Sequence, residues 1–312
     1  MLSLGHIPTP QTRLVFSAEP RIQMNRPGIK QVSDTAFMAA AYRAVETDRP
    51  SALFNDPLAA RLAGEQGRKI IASLPRQAFI GGWTVVIRTR IIDDFIQVAI
   101  AEGVDTVLNL GAGLDTRPYR MELPGSLRWI EADYPHVMEL KETRLSAETP
   151  RCRLERVRLD LADVDARRTL LDEVAGQSKK VLVLTEVVTP YLSEDTVASL
   201  GADLRSHESI RYWVADYFSP ASYEYRRRSR MSQAMKNAPF LFEPKDFFGF
   251  FAKIGWKPKD TRYFAIEGER LRRPAPFPLT VRLVMSVLGI FASPERRQEM
   301  KRYAGFVLFE PA

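Results

Sequence analysis

The sequence predicts an α/β fold around a mostly parallel sheet of about seven strands, on three observations. Short β-prone runs alternate with helical patterns, a tight glycine turn follows the first run, and acidic residues stand at the ends of later ones. The 45% apolar and 10% aromatic content of the 312 residues suffices to bury a large core. A single domain is expected, made of an N-terminal helical cap (33–104), a ligand-binding core (105–218), an inserted lid (219–251) and a C-terminal part of the sheet with a lid helix (252–312).

Residues 33–45 (SDTAFMAAAYRAV) are strong helix formers, and Ser33 and Asp34 suit a helix start. Asp56 and Pro57 open a second helical pattern through Leu62, with Gly64 as its stop. Over residues 83–101, Ile87, Ile91 and Phe95 recur every fourth position, giving a helix one buried stripe with Arg88 beside it. The period then changes: residues 106–110 (TVLNL) form a short apolar strand that runs into Gly111, Ala112 and Gly113. Further strands are expected at 127–131, 153–158, 180–187, 210–218, 257–264 and 303–309, mostly parallel because helical patterns separate them. Asp115 and Thr116 are placed to cap the helix that starts near Pro118.

Several classes are disfavoured. No stretch reaches the roughly 18 uncharged apolar residues of a membrane span, since Arg282 interrupts 279–291, which reads instead as a lid helix. The opening MLSLGHIPTP lacks a signal-peptide pattern, and the single cysteine, Cys152, excludes an intrachain disulfide framework, so a cytoplasmic location is expected. His6, His136 and His207 have no metal-ligand spacing, and no metal is expected. The net charge of +7 comes from 45 basic and 38 acidic residues spread along the chain. The run 226–230, with Tyr223 and Tyr225 before it, reads as a solvated helix face, so nucleic acid is not an expected partner.

In such a sheet, ligands lie beyond the carboxyl ends of the strands, where strand order reverses. After the first strand, Gly111 and Gly113 let the backbone approach a ligand. After the second, Asp133 can accept both hydroxyl hydrogens of a ribose. Asp160 and Leu161, after the third, suit an adenine amine and ring face, and Glu186, after the fourth, suits an ammonium group. Together they describe an adenosine with a cationic amino-acid tail. Thr116 stands where a dinucleotide fingerprint would place its third glycine, which disfavours the alternative of an NAD(P)-binding oxidoreductase. A non-catalytic module that binds S-adenosylmethionine or nucleic acid is the other alternative.

The segments TAF (35–37), AYRAVE (41–46), LFNDP (53–57), RTR (88–90), LNLGAGLDTR (108–117) and EADYP (131–135), with Lys141, Asp160-Leu161, Glu186 and Tyr191-Leu192, resemble one family. It is that of leucine carboxyl methyltransferase and related bacterial S-adenosylmethionine-dependent O-methyltransferases, and the resemblance runs through most of the chain from about residue 33. It implies a Rossmann-like class I methyltransferase fold with N-terminal helices and inserted lid segments. It also implies that Asp133 holds the ribose, Asp160 and Leu161 the adenine, that Gly111 lines the cofactor, and that Glu186 lies near its methionyl part. Arg88 and Arg43 resemble the basic residues the family sets against the cofactor carboxylate, a pairing that guanidinium forks serve well.

The implied reaction is methyl transfer to a carboxylate or hydroxyl of a small metabolite or, as in eukaryotic relatives, a protein carboxyl terminus. An ionised carboxylate needs no base, whereas a hydroxyl does, and Glu186 and Tyr191 are the candidates. The acceptor is expected to be apolar or aromatic, because 220–251 carries Phe240, Phe242, Phe247, Phe248 and Phe250.

Overall fold

The computed structural model describes residues 32–74, 79–228, 239–281 and 293–312. Two helices, α1 (Val32–Thr47) and α2 (Ala59–Ser73), precede a long α3 (Phe79–Ala101). Then come β1 (Thr106–Leu110), α4 (Arg117–Arg120), β2 (Arg128–Asp133), α5 (Pro135–Arg144), β3 (Arg153–Arg158), α6 (Val164–Gln177) and β4 (Val181–Thr185). After a 3-10 turn (Thr189–Tyr191), the chain continues through α7 (Glu194–Arg205), β5 (Ile210–Phe218), α8 (Pro220–Arg228), α9 (Phe247–Lys253), β6 (Trp256–Tyr263), α10 (Phe264–Arg270), α11 (Pro294–Lys301) and β7 (Ala304–Pro311).

The seven strands form one sheet in the order β3-β2-β1-β4-β5-β7-β6. β1 to β5 pair in parallel and β7 is antiparallel to both its neighbours, so β7 alone runs against the rest. Strand order reverses between β1 and β4, which places the switch-point crevice there. The mostly parallel sheet expected from the sequence is thus present, and β1, β3 and β5 have the expected limits.

Alternate residues of each strand face opposite layers, as the pleat requires. Val107, Leu182 and Val214 pack with Ile87, Ile91 and Phe95 of α3 on one face. Leu108, Val183 and Trp213 pack with Leu171 of α6, Leu200 of α7 and Phe251 of α9 on the other. β1 and β4 are buried on both faces. The edge strand β6 carries Lys257, Pro258 and Lys259, all exposed, which discourages pairing with another chain.

Ahead of the sheet, α1 and α2 pack through small residues: a Cβ on Gly67 would lie 2.7 Å from the Phe37 carbonyl oxygen. Gly64 (φ 57°, ψ −157°) breaks the helix where the sequence predicts a stop, and a second helical stretch then runs on to Ser73. The expected lid helix at 279–291 lies largely outside the described residues. Among the described residues, no helix is long and apolar enough to cross a membrane.

Candidate functional site

β1 ends in Leu110, and the chain turns through Gly111 (φ 71°) and Gly113 (φ 47°). A Cβ on Gly111 would sit 2.4 Å from Val188 Cγ2, so glycine is needed both for its dihedral angle and for space. The Gly111 and Ala112 amides donate to the Ala132 carbonyl at 2.8 and 3.2 Å, which ties the turn to the end of β2. There Asp133 accepts from Gly113 N and Tyr134 N, each at 2.7 Å. Burial raises the Asp133 pKa, while those two amides favour the ionised form. The carboxylate therefore shapes the turn and starts α5, and it keeps further lone pairs for a ligand.

Asp160 lies just beyond β3, exposed, with Oδ1 accepting from Ala162 N at 2.9 Å. Asp133, Asp160, Leu161, the glycine turn, Arg43, Arg88, Glu186 and Tyr191 all line one cleft of about 2860 Å³. The sequence-derived candidates thus come together at the carboxyl ends of the strands.

Their partners were not legible in the sequence. Glu186 is held by two arginines, Oε1 by Arg88 Nε and Oε2 by Arg117 Nη1, both at 2.9 Å. Burial opposes its charge, yet Arg117 and Arg88 bring its pKa below the ordinary value. Arg117 also donates to Asp115 at 2.9 Å and to Asp93 at 2.7 Å, and Arg120 grips both oxygens of Asp93 at 2.8 Å. Asp115, buried against this guanidinium, is held well below the carboxylate range by Arg117 despite desolvation. An alternating lattice of acids and guanidiniums therefore underlies the glycine turn. Its members come from α3, the turn after β1, α4 and the end of β4, so spacing along the chain could not reveal it.

The structure gives three of the residues singled out by the sequence partners that the sequence did not suggest. Thr116 stands at the cap position of α4 but makes no capping bond; its hydroxyl donates to Asp56 at 2.6 Å, and Asp115 Oδ1 accepts from Arg117 N instead. Arg43 donates from Nε to Asp56 at 2.8 Å and from Nη2 to the Leu114 carbonyl at 2.6 Å, so in this structure it braces the turn. The run at 226–230 is not a plain solvated face: the Arg226 guanidinium lies 3.2 Å from the Phe240 ring centroid and 4.8 Å from that of Phe218. Burial lowers the Arg226 pKa to about 10. Arg227 pairs with Glu243, and residues 229–238 lie outside the described ones.

Tyr191 packs edge-on against Phe240 with centroids 5.2 Å apart, and burial raises its phenol pKa. Of the expected aromatic wall, Phe240 lines the cleft, whereas Phe242 and Phe247 are buried in the core. Sequence reasoning missed Asp216, near the end of β5, which lines the cleft while only 3% exposed. Its signal was the one used for Glu186, a lone carboxylate at the end of an apolar strand. Asp216 Oδ2 accepts from Val187 N at 2.8 Å, and Val187 has φ 56°, a strained conformation for a β-branched residue.

The profile of the family described as leucine carboxyl methyltransferase matches residues 36–204. A Parafrankia sp. protein described, by inference, as an S-adenosyl-L-methionine-dependent methyltransferase is 30% identical over 292 residues, covering 86% of this chain and 88% of its own. A Streptomyces avermitilis protein of like description is 34% identical over 188 residues, 56% of this chain. This chain spans 65% of that relative's length and 62% of a Streptomyces coelicolor one. Among solved structures, an inferred methyltransferase of Thermobifida fusca superposes with TM-score 0.53 at 13% identity, covering 90% of this chain and 95% of the other. With the strand order above, that likeness makes the fold class I methyltransferase-like. The matched segment carries the glycine turn, Asp133, Asp160 and Glu186 on their successive strand ends, and the chain belongs to the leucine carboxyl methyltransferase family.

Proposed function

We propose that this chain is an S-adenosylmethionine-dependent O-methyltransferase acting on a small apolar or aromatic acceptor. The observation that carries the reading is the convergence of Asp133, Asp160 and Glu186 with a side-chain-free Gly111 on one cleft. The residues fit the cofactor chemically. Gly111 leaves room that a Cβ would fill, and the Asp133 oxygens, each taking one amide, retain acceptor capacity for a vicinal diol. Glu186 is ionised by its arginines and faces the cleft as an anion for an ammonium group. Among the described residues, Arg88 spends only Nε on Glu186, which leaves its two terminal nitrogens for a carboxylate.

When bound, the cofactor supplies an activated sulfonium methyl. The chain aligns the acceptor oxygen with it and excludes water, and fixing both reactants contributes on the order of 7–11 kcal/mol. Phe218, Tyr191 and Phe240 form an apolar wall for the acceptor, with Arg226 stacked on it. The region 219–251 is read as the lid of this pocket. Parallel calorimetric titrations with S-adenosylhomocysteine and NADH test the reading: binding of the first supports it, and binding of NADH alone overturns it. Transfer of label from methyl-labelled cofactor to an oxygen of an acceptor in a metabolite extract is the functional counterpart.

A further inference from the structure

The candidate bases read from the sequence are poorly suited to take a proton. Glu186 is tied to two guanidiniums that stabilise its charge, and a base so stabilised is weak. Tyr191 has its phenol pKa raised by burial, so it is a neutral hydroxyl at ordinary pH. A third group lies on the same cleft without either defect. Asp216 forms no salt bridge among the described residues; its carboxylate accepts from Val187 N at 2.8 Å and interacts with its own backbone amide. It sits two residues before the end of β5, next to the strand whose end carries Glu186.

We propose that Asp216 is the general base of this enzyme and that its acceptor is therefore a hydroxyl compound, an aromatic or apolar alcohol or phenol. The inference rests on the O-methyltransferase reading above and deepens it. An Asp216 carboxylate oxygen takes the proton of the acceptor hydroxyl while the acceptor oxygen forms a bond to the transferred methyl carbon. The carbon–sulfur bond breaks with its electron pair passing to sulfur, which leaves a methyl ether, S-adenosylhomocysteine and protonated Asp216. The proton leaves to solvent with the products.

Charge and burial support the assignment. The groups facing Asp216 are Arg88 from α3, Glu186 beyond β4, Tyr191 in the turn, and Tyr223 and Arg226 from α8, with Glu243 behind the last two. Burial pushes the Asp216 carboxyl up to about 7, although Arg88 and the Val187 amide pull it down. A base matched to neutral pH is the kind that general-base transfer uses best. An ionised carboxylate acceptor would gain nothing from a second carboxylate at this place and would be repelled by it.

The experiment follows the chemical fate of label moved from methyl-labelled S-adenosylmethionine onto extract acceptors by the full-length wild type and by Asp216→Asn. Asparagine keeps an oxygen for Val187 N but cannot take a proton. The expected product resists alkali and yields labelled iodomethane with hydriodic acid, as a methyl ether does. Asp216→Asn is expected to lower the rate on the order of 100-fold or more, with affinity for S-adenosylhomocysteine within twofold of wild type.

Label released by alkali as methanol marks an ester and overturns the inference while leaving O-methyl transfer standing. Label resistant to both treatments, or absent from every acceptor, overturns the inference and the O-methyltransferase reading together. Undiminished transfer by Asp216→Asn reduces Asp216 to a brace for Val187 and also overturns the base role. A second readout needs no turnover: the wild-type melting temperature should fall relative to Asp216→Asn as pH rises between 3.8 and about 7, and parallel curves would contradict a titrating Asp216.

Discussion

Arg117, the first residue of α4, donates to Glu186 at 2.9 Å across the crevice where β1 and β4 part. The pair links the two strands that flank the switch point, and Arg117 also serves Asp115 and Asp93. Removing this guanidinium leaves three carboxylates short of a counter-charge in a buried setting. Arg117→Met is expected to cost about 3–5 kcal/mol of unfolding free energy in urea denaturation. Retention of wild-type stability would show that the lattice contributes little.

Asp133 is expected to carry much of the cofactor affinity. Asp133→Ala removes an acceptor for the ribose and also the brace of Gly113 N. Calorimetry with S-adenosylhomocysteine should show at least a tenfold weaker Kd, about 1.4 kcal/mol, with the far-ultraviolet circular dichroism unchanged.

The glycine turn makes a separable prediction. Gly111→Ala combines φ 71° with a Cβ placed 2.4 Å from Val188 Cγ2. Strain and overpacking together should destabilise the protein by about 1–3 kcal/mol and abolish S-adenosylhomocysteine binding. Adding Val188→Ala relieves the overlap but not the dihedral strain, so the double variant should recover stability only in part in thermal melts.

Acid should reveal the tie on Glu186. Burial works against its ionisation, yet Arg117 and Arg88 place its folded pKa below the ordinary 4.5. A depressed carboxyl contributes stability in full above the unfolded value and loses it as pH falls through the folded one. The stability gap between wild type and Glu186→Gln should therefore be constant near neutrality and shrink on acidification below pH 4.5. A gap independent of pH would contradict the arrangement.

Cys152 should resist thiol reagents in the folded protein. It is buried, and burial with the nearby Glu131 charge pushes its pKa up to about 11. The reactive thiolate is then scarce at pH 8. Reaction with a disulfide reagent should be slow in buffer and fast in denaturant.

The fold was legible wherever one local rule sufficed. Residues 106–110 and 210–218 are unbroken β-prone runs between turn signals, and both strands have the limits the sequence predicts. The ends of β1 to β4 could also be read for ligand-facing acids, because the parallel topology makes strand ends converge. What depended on pairs far apart in sequence was hidden. Glu186 meets Arg88 across 98 residues and Arg117 across 69, and no periodicity encodes either. Arg226 read as a solvated charge because its aromatic partners, Phe218 and Phe240, lie on other segments. Asp216 was swallowed by the strand that contains it, although the rule that singled out Glu186 applied equally.

The placement of β7 bears on how the chain is made. Synthesis delivers β6 before β7, but β7 fills the gap between β5 and β6. Until residues 304–311 leave the ribosome, the inner strand β5, with Trp213, Val214 and Ala215, has one side without a neighbour. A nascent or truncated chain lacking that segment would expose an apolar strand edge, the feature that drives association between chains. Loss of so short a stretch should therefore send the protein to inclusion bodies rather than merely lower its melting point.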